Sequence, residues 1–175
     1  MIINNYLLRS LIYGGIDGII TIFNIISGIS GAKLNLKYVF ILGFSVLIAD
    51  GLSMGLGDYM SIKADKKYKQ TNKYDYTNEN TVIPLNNALI TFVSFVVFGF
   101  IPLFIFFGLN KLNIKNKYLN TYFSVMIALF ILGILQSKYT KEKWYISSTQ
   151  LVLYGSMTSF LAYNISFLIS NTFKN

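Results

Sequence analysis

The stretch Ala49-Asp50-Gly51-Leu52-Ser53-Met54-Gly55-Leu56-Gly57-Asp58-Tyr59-Met60-Ser61 lies within a 25-residue apolar run, residues 38–62, whose only charges are Asp50 and Asp58. A run of that length crosses a bilayer as a helix, because about 20 residues rising 1.5 Å each span the hydrocarbon core. A charged Asp at mid-bilayer costs about 2.5–3.5 kcal/mol on insertion scales. A cation, water or a proton must offset that cost. On a helix wheel with Asp50 at 0°, Met54 and Asp58 fall at about 40° and 80°. Ser53, Gly57 and Ser61 fall at about 300°, 340° and 20°. Polar and small side chains thus share one stripe, and Leu52, Leu56, Tyr59 and Met60 take the opposite side, suited to lipid or apolar packing.

The preceding run, residues 11–32, repeats the pattern around one charge, Asp17. With Asp17 at 0°, Thr21, Asn24, Gly28 and Gly31 fall at about 40°, 340°, 20° and 320°, and Gly14 at about 60°. Two adjoining helices each present oxygen ligands with little side-chain bulk. Facing each other, they would make a narrow polar path. Carboxylates suit hard divalent cations, and the Met54 thioether tilts the choice toward Fe²⁺ or another transition metal. Empty carboxylates could take protons, coupling metal release to proton uptake. Asp17, Asp50, Met54 and Asp58 are the candidate metal ligands, and Thr21, Asn24, Gly28, Ser53, Gly57 and Ser61 line the path.

Working outward, residues 85–109, 118–137 and 144–173 carry no charge. The reading is all-α: one five-helix transmembrane domain over residues 1–175. Composition agrees, with 54% hydrophobic and 13% charged residues and a mean hydropathy of +0.53. A soluble domain has about a quarter of its residues charged. Gly14, Gly15 and Asp17 break the first apolar segment, which reads as a span and not as a cleavable signal. Gly14/Gly18 and Gly51/Gly55 have helix-packing spacing. Thr91, Ser94, Gly99 and Pro102 suggest a packed, bent third helix. Gly155, Ser159, Ala162 and Ser166 form a small-residue packing stripe on the fifth.

The chain has no Cys and no His, which excludes disulfides, zinc sites of those ligands and histidine proton chemistry. The net charge of +8 comes from lysines standing between apolar runs. They read as anchors at lipid headgroups, with no nucleic-acid partner. Nine Lys and Arg (Arg9; Lys63, Lys66, Lys67, Lys69, Lys73; Lys138, Lys141, Lys143) fall on the side of the N-terminus, against six on the other. That excess predicts a cytosolic N-terminus. The joint between the second and third spans is too basic to collect metal and reads as a solvated anchor.

These residues resemble the vacuolar iron transporter family. The resemblance rests on Asp17-Gly18-Ile19-Ile20-Thr21-Ile22-Phe23 with Gly28 and Gly31-Ala32, and on Ala49-Asp50-Gly51-Leu52-Ser53-Met54-Gly55 with Gly57-Asp58-Tyr59-Met60-Ser61. A third piece is Ala88, Thr91-Phe92-Val93-Ser94-Phe95, Gly99 and Pro102-Leu103, with weaker echoes at Gly133, Gly155 and Tyr163. It implies a five-helix homodimer in a vacuolar or other intracellular membrane. It also implies export of Fe²⁺, and often Mn²⁺, from the cytosol in exchange for protons, with no tightly bound cofactor. Asp17 and Met54 match positions that line the path between subunits, and Asp50 and Asp58 match further acidic positions. Full transporters carry a Glu-rich cytosolic insertion after the second span, absent here as in the nodulin-like branch. They also often carry acids where Ser10 and Tyr6 stand. The alternative is a membrane interaction or assembly protein that keeps the scaffold without transport. No nucleophile–base pair or phosphate-cradling loop points to an enzyme.

Overall fold

The computed structural model describes residues 5–71, 83–112 and 114–173. Lys73, Asp75, Glu79, Lys174 and the side chain of Tyr6 lie outside the described residues. Five helices follow in order: α1 (Asn5–Gly31), α2 (Lys37–Thr71), α3 (Pro84–Lys111), α4 (Lys117–Thr140) and α5 (Trp144–Thr172). All five are long and apolar enough to cross a membrane. The all-α, polytopic membrane architecture expected from the sequence is the one observed.

Helix limits differ from the apolar limits by more than three residues in two places. α1 begins at Asn5, ahead of residue 11, and α2 continues to Thr71, past residue 62. The 35 residues of α2 reach about 52 Å, well beyond a hydrocarbon core of about 30 Å. Hydropathy marks what lipid tolerates, not where a helix stops. Residues 63–71 contain no Gly or Pro and several good helix formers. Lys69 pairs with Asp65 one turn earlier, at 3.0 Å. Lys63, Lys66, Lys67 and Lys69 therefore stand on a helical extension, and the expected joint begins later.

α1 is the central element and touches each of the other four helices. Its isoleucines 12, 16, 19, 22, 26 and 29 are all at most 8% exposed. On the wheel with Asp17 at 0° they lie between about 120° and 260°. The core face of α1 is thus opposite its acidic stripe. On α2 the buried row is Val39, Gly43, Leu47, Gly51 and Gly55, set against α3. Leu52, Leu56 and Met60 are 49%, 63% and 68% exposed, so that side is left to lipid.

Glycines let the helices approach closely. A Cβ on Gly18 would stand 2.3 Å from the carbonyl oxygen of Phe95, and one on Gly14 2.7 Å from that of Thr91, so α1 and α3 meet backbone to side face. Gly31 against Tyr163 does the same for α1 and α5, and Gly133 against Ser148 for α4 and α5. Thr91, Ser94, Gly99 and Pro102 are all buried, and α3 continues through Pro102. Gly155 and Ser159 are buried on α5, as a packing stripe requires.

Gly108 is the contrasting case, because a Cβ there would meet nothing within 4 Å. Gly108→Ala should raise stability by about 0.5–1 kcal/mol, the cost of a mid-helix glycine. Thermal unfolding in detergent checks this, and a lowered midpoint would contradict it.

Candidate metal path

Asp50 is thirteen residues from Lys37 and thirteen from Lys63, about 20 Å of helix either way. It therefore sits at the middle of its span. Asp17 lies within the apolar part of α1, and both side chains are exposed on the outer face of the α1–α2 pair. Ser53, Gly57 and Ser61 are exposed on the same side, and Met54 and Asp58 are half-buried.

Two cavities flank this face. The first, about 310 Å³, is lined by Arg9, Ser10, Tyr13, Met54, Gly57, Asp58, Ser61 and Thr91. It lies toward the N-terminal end of α1 and the lysine-rich end of α2. Within it Ser10 Oγ donates to Asp58 Oδ2 at 2.9 Å, and Thr91 Oγ1 donates to the same oxygen at 2.7 Å. The second, about 630 Å³, includes Thr21, Asn24, Gly28 and Asp50 with Ala162 and Ser166 of α5. It extends toward the turn at Leu34.

The structure therefore divides the predicted residues. Met54, Gly57, Asp58 and Ser61 share one cavity, and Asp50, Thr21, Asn24 and Gly28 share the other. Asp17 and Ser53 line neither. Asp17 is one turn from Tyr13 in the first and one turn from Thr21 in the second, so it stands between them. Among the described residues no three acidic side chains converge as a ready-made metal cluster. The arrangement is a series of oxygen donors, with one thioether, spaced along a face. Such a series suits a cation passing between weak sites better than one held in a closed cage.

Sequence reading missed several lining residues. Ser10 and Tyr13 fall at about 20° and 320° on the Asp17 wheel, within its polar stripe. Starting the span at residue 11 hid Ser10, whereas Tyr13 lay inside the run and its place on the stripe was passed over. Arg9 reads from sequence as an anchor, and Thr91 and Ser166 read as packing residues. Their presence at the cavities depends on how α3 and α5 lie against α1, which no single-helix pattern reports.

A family model described as the VIT family matches residues 8–79 and 69–166. The chain belongs to the VIT family. Among its VIT relatives, the chain is similar to the vacuolar iron transporter of Plasmodium falciparum (isolate 3D7), at 28% identity over 94% of this chain and 82% of the relative. It is also similar to vacuolar iron transporter 1 of Oryza sativa subsp. japonica, at 20% over 90% and 83%. Vacuolar iron transporter homolog 1 of Arabidopsis thaliana is 21% identical over 93% and 82%. Alignment lengths separate these VIT proteins. Against the Plasmodium protein the match runs over 227 positions, although 94% of this chain is only about 165 residues. Against the Arabidopsis homolog it runs over 167 positions, close to the residues matched. This chain is thus a short VIT member, nearer in extent to the Arabidopsis homolog.

Proposed function

We propose that this protein carries Fe²⁺, and Mn²⁺ as a second substrate, out of the cytosol into a vacuole-like compartment in exchange for protons. The path runs along the α1–α2 face where two copies of the chain meet. The observation that carries this reading is the exposure of Asp17 and Asp50 on the outer side of mid-span helices. Two carboxylates left to lipid would cost roughly 5–7 kcal/mol on insertion scales. That is comparable with the whole stability of a folded domain, about 5–15 kcal/mol. A second copy covering this face, with cations or protons visiting the acids, removes that cost.

The donor chemistry supports the metal class. Met54 beside Asp58 suits a borderline ion such as Fe²⁺, and the oxygens of Asp50, Thr21 and Asn24 also accept Mn²⁺. With no His in the chain, the carboxylates are the groups available to carry protons inward as metal leaves. The lysine excess supports a cytosolic N-terminus. The Asp58 cavity then takes metal from the cytosol, and the Asp50 cavity delivers it on the far side. The names of the Plasmodium and Oryza relatives, vacuolar iron transporters, agree with iron as the substrate and with a vacuole-like compartment.

Proteoliposome uptake of Fe²⁺ and Mn²⁺ under imposed pH gradients tests the proposal. Uptake should rise with an acidic lumen and collapse with a protonophore. Absence of uptake under every gradient would favour the second reading, a scaffold that assembles without transport; the lack of three converging acids among the described residues is the observation on its side. The interface has its own test. The chain has no Cys, so a single Ser53→Cys reports alone. It should form a disulfide-linked dimer in membranes, whereas Met157→Cys, exposed on α5, should not. The reverse pattern would place the interface elsewhere.

A further inference from the structure

Asp58 is held by two hydroxyls from two other helices. Ser10 on α1 is 6% exposed and Thr91 on α3 is 4% exposed. Both are nine-tenths buried and both donate to Oδ2 of Asp58, at 2.9 and 2.7 Å. Among the described residues Oδ1 receives no hydrogen bond. Arg9 lines the same cavity, yet makes no ion pair with Asp58 within 4.0 Å among the described residues. One carboxylate oxygen is therefore pinned at the three-helix junction, and the other is left for whatever enters the cavity that Met54 also lines.

We propose that Ser10 and Thr91 are positioning residues that hold Asp58 as a one-oxygen ligand, partnered with the Met54 thioether, at the mouth of the metal path. The proposal rests on the transport reading given above. Two hydroxyl donors on Oδ2 leave only Oδ1 to the cation, so the carboxylate binds through a single oxygen. That geometry leaves coordination positions for water and for the softer sulfur, and suits an ion that must enter and leave. The arrangement spans three helices, so it forms only when α1 and α3 are in their close contact at Gly14 and Thr91.

The test compares the full chain with Thr91→Val and Ser10→Ala, which remove the donors, and with Thr91→Ser, which restores one. Val matches Thr in shape, so packing changes little while the hydrogen bond is lost. Mn²⁺ and Fe²⁺ uptake in proteoliposomes and direct Mn²⁺ binding to purified protein are both measured. Losing a hydrogen bond to a charged group should raise the KM for metal about tenfold. The kcat should change far less, and Thr91→Ser should recover most of the loss. Binding of Mn²⁺ should weaken in parallel. Wild-type protein that neither binds nor moves metal sinks the transport reading and this inference with it. Wild-type protein that does both, while Thr91→Val and Ser10→Ala match it, sinks the inference alone. A Thr91→Ser as impaired as Thr91→Val assigns the effect to packing and also overturns it. Should Thr91→Val fail to yield monodisperse protein, Ser10→Ala on the other helix decides the question by the same KM shift.

Discussion

Asp17→Ala should reduce metal uptake in proteoliposomes by about a hundredfold or more. Loss of even an outer-shell partner of a metal ligand costs 10–100-fold, and Asp17 stands between the Met54–Asp58 cavity and the Asp50 cavity that the proposed path joins. Tyr13, one turn before it, lines the first cavity, and Thr21, one turn after it, lines the second. Asp17 is the one acid of α1, so removing it leaves the whole helix without a carboxylate. The loss would not come from misfolding. The side chain is exposed and leaves no core cavity when truncated, and deleting a charge from mid-span makes insertion easier. Asp17→Ala should therefore be at least as stable as the parent while inactive. Asp17→Asn, of the same size, should be similarly impaired, because the amide neither carries charge nor exchanges a proton. Uptake by Asp17→Ala equal to that of the parent would remove Asp17 from the path.

Gly18→Val should be among the most damaging single changes to the fold, at about 3 kcal/mol, the upper end of ordinary overpacking. A Cβ at Gly18 would lie 2.3 Å from the Phe95 carbonyl oxygen, 3.0 Å from its carbon and 3.1 Å from its Cα. These are backbone atoms of α3, which cannot rotate aside as a flexible side chain would. α1 and α3 would have to move apart along the contact that also brings Thr91 to Asp58. Gly133→Val should behave alike, since its Cβ would stand 2.3 Å from the Ser148 Cα. Thermal unfolding and size-exclusion profiles measure both against Gly108→Ala, at a glycine with open space around it. An unchanged midpoint for Gly18→Val would mean that the helices are not in the close contact described.

The two acidic residues at mid-span are legible from sequence because lipid punishes charge. Asp17 and Asp50 stand out against runs that are otherwise apolar, and register alone puts Thr21, Asn24 and Met54 beside them. The close packing at Gly14, Gly18, Gly51 and Gly55 is legible from four-residue spacing. Thr91 was not legible as a partner of Asp58. Nothing in the register of α3 distinguishes a hydroxyl that packs from one that reaches a carboxylate on another helix. The end of α2 was likewise hidden, because helix propensity and an Asp65–Lys69 pair carry the helix into water where hydropathy no longer reports it.

Sequence by itself determined the number of spans, their apolar faces and the acidic stripes on α1 and α2. Lipid offers backbone groups no hydrogen bonds, so each apolar run must be helical, and 3.6 residues per turn then orders its side chains. The tertiary structure alone decided that the acids separate into two cavities with Asp17 between them, and that Ser10 and Thr91 converge on one oxygen of Asp58. Those relations depend on the distance and rotation of one helix against another. In this protein both are set by where glycine lets backbones touch, a property of pairs of helices that no single helix carries.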